Sequence, residues 1–314
     1  MKCLYSILLL LSLGGFGLAA VSDTRTITYH LNGGVNDPAN PDSYAIISAD
    51  SGDCTITLRD PVREGFGFLG WFEESTYGFS SPAIKRISRC NIFNRNYSLT
   101  ALWAPTIKEP QLSVDSCYQI TTKEELYAIP KLSAFACIEL QNDIVVNENL
   151  LDAEGNPDST RDDLMFWEPF DFGGIFEGNG HTISGLYSKM MGYAGFFSKL
   201  YDGSGKLPVV RNLGIKDSYF EGGSFAGGIA AYVDQSALLV NVFSEATVVS
   251  RGSAGGIVGT IVSEQDRSCL CAPPVLTKRA EATPARASMN SSNVAMIINA
   301  YNAGRVTGES SSRD

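Results

Sequence analysis

Asparagine recurs at one place in three short apolar runs: Arg211-Asn212-Leu213-Gly214-Ile215, Val240-Asn241-Val242-Phe243 and Ile298-Asn299-Ala300-Tyr301. The asparagines are 29 and 58 residues apart, so the second gap is twice the first. A second series places small residues before apolar ones, in Gly195-Phe196-Phe197, Ala226-Gly227-Gly228-Ile229 and Ala254-Gly255-Gly256-Ile257. Its last two members start 28 residues apart. Fixed periods of roughly 20–50 residues mark stacked repeats, each burying its apolar face only against its neighbours. Short β runs and glycine corners make the unit one coil of a β-solenoid, with coils about 4.8 Å apart. Asparagine should then lie over asparagine from coil to coil.

Upstream, Trp167-Glu168-Pro169 leads into FGGIFEGNGHTISGLY, residues 172–187, where a turn at Glu177-Gly178-Asn179-Gly180 separates two apolar stretches. Asn-Gly pairs favour turns because both residues tolerate positive φ. This segment resembles the opening coil of right-handed parallel β-helices that carry GLUG motifs. The glycine-led runs at 226–229 and 254–259 resemble the GLUG repeats themselves, and the resemblance covers roughly residues 117–308. It implies a bacterial surface or secreted protein of adhesin type.

Residues 25–104 form an earlier unit. A β-alternating run, Thr26-Ile27-Thr28-Tyr29-His30-Leu31, stops at Asn32-Gly33-Gly34, a turn signal. Then come Pro61-Val62-Arg63-Glu64-Gly65-Phe66-Gly67-Phe68-Leu69-Gly70-Trp71 and a closing Leu99-Thr100-Ala101-Leu102-Trp103. This order is similar to the internalin-type B repeat, also called the Listeria–Bacteroides repeat, and implies a small β-grasp-like module. Trp71 and Trp103 are read as core residues, with sugar stacking as the rival reading.

The expected fold is therefore mainly β: a β-grasp-like module at 25–104, a proline-bearing linker at 105–113, and a right-handed parallel β-helix with an N-terminal helical cap at 114–314. Thr121 and Glu124 have capping-box spacing, with Leu126, Ile129 and Leu132 at helical intervals and Pro130 stopping the pattern. Cys137-Ile138-Glu139-Leu140 and Ile144-Val145-Val146 would be the first strands. Insertions are expected at 151–171 and 263–293, the second accounting for the doubled asparagine gap. The chain stops straight after a coil with no cap or sorting signal, so a truncated C-terminus is expected.

Residues 1–22 read as a signal peptide: Lys2, the apolar Leu4–Leu13, then the small-residue region Gly17-Leu18-Ala19-Ala20. The run is too short for a membrane span and no later stretch qualifies. Six cysteines remain after its removal, and an even number in an exported chain implies disulfides. Locality favours Cys54 with Cys90 and Cys117 with Cys137, leaving Cys269 with Cys271. A net charge of −10 without a basic cluster argues against nucleic acid as partner.

Candidate chemistry is sparse. The only histidines, His30 and His181, fall in different units, so no Ser-His-Asp set can be drawn. Asp162, Asp163 and Asp171 offer a carboxylate pair for glycoside chemistry or hard-oxygen calcium ligands, against a loop that docks its aromatics on the first coil. No catalytic residue, cofactor or metal is assigned. The expected function is non-enzymatic binding of host matrix, glycan or another cell-surface ligand. A carbohydrate-active β-helix enzyme and a passive surface spacer are the alternatives.

Overall fold

The computed structural model describes residues 24–45, 55–75, 78–80, 83–88, 95–203, 205–262 and 295–308. The signal-peptide segment, the 263–293 insertion, and Cys54, Cys90, Cys269 and Cys271 lie outside the described residues.

The protein is mainly β, in several sheets that do not close into a barrel. In the N-terminal part, strand Thr24–His30 runs parallel to Tyr97–Pro105, which pairs antiparallel with Phe66–Ser75. Ile27, Tyr44, Leu58, Ile87 and Leu99 close over Trp71 and Trp103, which are only 1% and 2% exposed. Each indole N–H donates to a backbone carbonyl, Trp71 to Arg59 and Trp103 to Leu31, which is what a buried indole requires. Both tryptophans are core residues.

Downstream, strands pair in parallel with strands one repeat later, in columns. One column runs Ile175–Glu177, Val209–Lys216, Leu238–Ser244, Met296–Ile298, with Val209 opposite Leu238 and Leu238 opposite Met296. Another runs Tyr187–Met190, Tyr219–Gly222, Thr247–Ser250, Val306–Gly308. A third runs Phe170–Phe172, Phe197–Tyr201, Ala230–Asp234, Val258–Val262. Because Val240 pairs directly with Ile298, the doubled gap in sequence spans a single layer. Apolar side chains of every layer point to a common interior, where Phe172, Phe176, Phe196 and Phe197 are fully buried.

The asparagine series is the corner of each layer. Asn212, Asn241 and Asn299 have φ of 53°, 53° and 50°, so the strand bends there through the left-handed region. Asparagine enters that region more readily than most residues with a Cβ. Their side chains form a ladder: Asn299 Nδ2 donates to Asn241 Oδ1 at 2.7 Å, and Asn241 Nδ2 to Asn212 Oδ1 at 2.9 Å. Asn212 Nδ2 in turn donates to Glu177 Oε1 at 2.9 Å, so a carboxylate ends the ladder, with Arg211 Nε on its other oxygen. Replacing Asn241 with alanine should cost about 2 kcal/mol, from two lost amide bonds and the strained φ. Asn241→Gly should cost about half that, since glycine removes the strain and loses only the bonds. Urea denaturation of both variants is the measurement; equal losses would show that the backbone conformation contributes nothing.

Two expectations shift at the start of the columns. Cys117–Ile120 is itself a strand, pairing in parallel with Cys137–Leu140 so that Cys117 faces Cys137. The expected disulfide joins these adjacent strands. The helix is only Lys123–Leu126, and its N-cap is Thr122, not Thr121. The box closes one residue later than the spacing suggested, because Glu125 rather than Glu124 turns inward. Glu125 Oε2 accepts from Thr121 N at 2.8 Å and Oε1 from Lys108 Nζ at 2.6 Å. Burial works against its charge, but these bonds outweigh it and hold the carboxyl below the usual range. Leu126, Tyr127 and Ile129 then pack into the core.

Candidate functional site

The two parts of the molecule meet along a continuous sheet. After Phe66–Ser75 the chain returns as the short strand Gly78–Phe79, antiparallel to it, and Phe79 then pairs in parallel with Met190 of the first stacked layer. Gly78 has φ +103°, and a Cβ there would lie 2.7 Å from the Met190 carbonyl carbon, so only glycine permits this approach. Met191 N donates to Phe79 O at 2.9 Å and Phe166 N to Trp103 O at 2.9 Å. Arg63 Nη2 donates to Asp162 O. Phe72, Phe79, Phe166, Tyr187 and Met190 form a separate apolar cluster across the join, with Phe166 edge-on to Phe79 at 5.5 Å.

Beside that cluster lies a cleft of about 270 Å³ whose lining comes from both parts. Its walls carry His30, Asn32, Glu74, Ser98, Arg161 and Lys189, and its apolar surface comes from Phe79, Trp103, Phe166 and Tyr187. Lys189 Nζ lies 3.2 Å from Glu74 Oε1. Arg161 makes a two-pronged contact with Asp163 at 2.8 and 2.9 Å and donates to Glu148 O. The Arg161 bonds hold the Asp163 carboxyl below its usual range. Burial pushes the Tyr187 phenol up, and the nearby Glu74 and Glu221 carboxylates reinforce this. The lining thus has its charges paired, Lys189 with Glu74 and Arg161 with Asp163, beside further donors and acceptors.

The sequence-derived candidates do not assemble into a reacting centre. Asp163 is committed to Arg161, and its depressed pKa is the reverse of what a general acid needs. Asp171 Oδ1 accepts from Ser198 Oγ at 2.5 Å, on the strand Phe170–Phe172. Asp162 is exposed and contributes its backbone carbonyl to the join. The aromatics of the same segment dock as expected: Phe166 into the join, and Trp167 onto Phe196 with rings stacked at 5.3 Å. His181 Nδ1 sits 3.4 Å from Asp143 Oδ1 at a layer corner. His30 Nε2 is 3.0 Å from Ser98 Oγ, a pair not anticipated from sequence. Its Nδ1 has no acceptor among the described residues, so nothing there orients the ring. Among the described residues, the one cluster of three metal-type donors is Cys117, Cys137 and Glu139, and its two sulfurs are spent in the disulfide.

The order of strands and turns in the N-terminal part has a known counterpart. Residues 26–87 match the Listeria-Bacteroides repeat domain. Such repeats occur in extracellular bacterial proteins. The cleft is therefore built by this repeat and by the stacked layers together. No curated protein matches the chain. Among solved structures, a putative immunoglobulin A1 protease from Bacteroides ovatus is similar at 18% identity and a TM-score of 0.34. The overlap covers 65% of this chain and 62% of that one, so this chain spans less than two thirds of that protein. Among the described residues no helix is long and apolar enough to cross a membrane.

Proposed function

We propose that this is an exported, non-enzymatic binding protein of the bacterial surface, of adhesin type. It comprises a signal peptide at 1–22, a β-grasp-like repeat module at 25–104, a connection at 105–113, and a right-handed parallel β-helix of GLUG type at 114–314 with excursions at 151–171 and 263–293. The recurrent register of the columns and the asparagine corners support the β-helix. The Cys117–Cys137 disulfide supports an oxidising compartment, because thiols stay reduced in the cytosol.

The observation that carries the binding reading is the cleft at the join, with hydrogen-bonding groups from both parts over an aromatic surface. We assign it a glycan ligand, since hydroxyls satisfy its paired charges without displacing them. The full chain should bind members of a glycan array, and Lys189→Ala with Glu74→Gln should weaken that binding about tenfold. Binding unaffected by the double variant would remove the cleft from the account. Polysaccharide cleavage that disappears on Asp162→Asn, Asp163→Asn or Asp171→Asn would replace it with an enzymatic one. Neither binding nor cleavage would leave a surface spacer.

A further inference from the structure

One wall of the cleft comes neither from the repeat nor from a stacked strand. Ser159, Arg161 and Leu164 belong to the excursion that leaves the first layer, and Asn147 draws the ends of that excursion together. Asn147 Oδ1 accepts from Met165 N at 2.8 Å, and its Nδ2 donates to Met165 O at 2.8 Å. Beyond this neck the chain folds back on itself, with Asp158 N on Leu150 O at 3.0 Å and Asp152 N on Asn156 O at 3.0 Å. Within 148–164 only Leu150 is buried, so the excursion has little core of its own and takes its place from outside contacts.

Two arginines supply such contacts. At the tip, Arg305 Nη1 donates to Glu154 O at 3.2 Å, and a Cβ on Gly155 would lie 2.7 Å from Thr247 Oγ1. Neither Arg305 nor Thr247 lines the cleft. On the cleft side, Arg63 Nη2 donates to the carbonyl of Asp162, the residue between Arg161 and its ion-pair partner Asp163. The Arg63 guanidinium is itself fixed from the repeat. Its Cζ lies 3.7 Å over the Phe66 ring and 5.9 Å from the centre of Trp103, and a Cβ on Gly33 would lie 3.3 Å from it. The Asp162 and Asp163 carboxylates attract it as well. Nη1 is buried with no hydrogen-bond partner among the described residues, so the reach to Asp162 is kept although it leaves an N–H unpaired. A flat, delocalised cation can stack on a ring and still donate in its own plane.

We propose that Arg63 is a positioning residue for the cleft: it locks the 159–164 wall against the repeat and so sets where Ser159 and Arg161 stand toward a ligand. This rests on the reading of the cleft as a binding site. Loops present side chains less precisely than strands do, and a supporting contact that locks the loop restores the precision.

Three variants of the full chain test it. Arg63→Met keeps an apolar stem over Phe66 and removes the donor, Arg63→Lys keeps a donor and the charge, and Arg305→Ala frees only the tip. Against the array glycan that the parent binds best, Arg63→Met should bind about fivefold more weakly, and Arg63→Lys within about twofold of the parent. Trypsin cutting after Arg161, followed by mass spectrometry of the native protein, needs no ligand. It should run about fivefold faster in Arg63→Met and at the parent's rate in Arg305→Ala. All three should melt with the parent, and Arg63→Gln, too short to reach Asp162, replaces Arg63→Met should that variant melt early. Cutting at the parent's rate in Arg63→Met would overturn the proposal whether or not a glycan binds. So would equal acceleration by Arg305→Ala, a glycan held equally by the parent and Arg63→Met, or Arg63→Lys binding no better than Arg63→Met. A parent that binds no glycan, with cutting accelerated by Arg63→Met, supports the positioning of the wall and removes the glycan reading alone.

Discussion

Phe197→Ala should lower the free energy of unfolding by about 3–5 kcal/mol, the range found when a phenylalanine is removed from a core that cannot close over the gap. Phe197 is wholly buried, stacks on Phe172 at 4.9 Å with planes 12° apart, and touches Phe170, Phe176 and Phe196 by its edges. The backbone on each side is fixed by pairing, Phe170 opposite in the preceding layer and Ala230 in the next. Ala230 has no side chain long enough to fill the space. The lost ring contacts and the residual cavity therefore add. Tyr193→Ala is the internal comparison: Tyr193 also stacks, on Phe225, but is 39% exposed, and its removal should cost about 1 kcal/mol or less. Urea unfolding followed in the far ultraviolet measures both. A Phe197 variant within 1 kcal/mol of the parent would mean that the layers do not share one packed interior.

Breaking the Cys117–Cys137 bridge should cost about 3 kcal/mol, since it closes a loop of 20 residues that the unfolded chain otherwise leaves open. Within that loop lie the helix Lys123–Leu126 and the buried Tyr127, and Glu125 of the helix is held from outside the loop by Lys108. The double variant Cys117→Ser with Cys137→Ser should unfold at lower urea than the parent. Added reductant should bring the parent down toward the variant, and any effect on other cysteines will be common to both chains. Hydrogen exchange should quicken first across 123–131, where protection depends on the closed loop. A parent whose midpoint ignores both reductant and substitution would show that strand pairing alone holds Cys117 against Cys137.

The corners were legible in the sequence because one residue type answers two demands there. Asn212, Asn241 and Asn299 supply a left-handed backbone and an amide that bonds its own kind in the next layer, so the periodicity survives where the surrounding apolar residues vary. Trp71 and Trp103 were legible as core from the general tendency of tryptophan to be buried. The strand Cys117–Ile120 was missed because the capping pattern immediately after it drew the segment into the helix. The helix start was misplaced by one because Thr121-Thr122 and Glu124-Glu125 allow two registers, and only tertiary contact with Lys108 chooses between them. The cleft at the join was invisible for a different reason. Glu74 and Lys189 are 115 residues apart, and nothing local marks residues that meet only when two folded parts are brought edge to edge.

The amide ladder runs one way. Each asparagine gives its N–H to the layer before and offers its oxygen to the layer after, from Glu177 through to Asn299. Removing one asparagine therefore leaves an oxygen without its donor in the layer before and an N–H without its acceptor in the layer after. A change at Asn241 is thus felt by both of its neighbours, whereas one at Asn299 strips only the oxygen of Asn241.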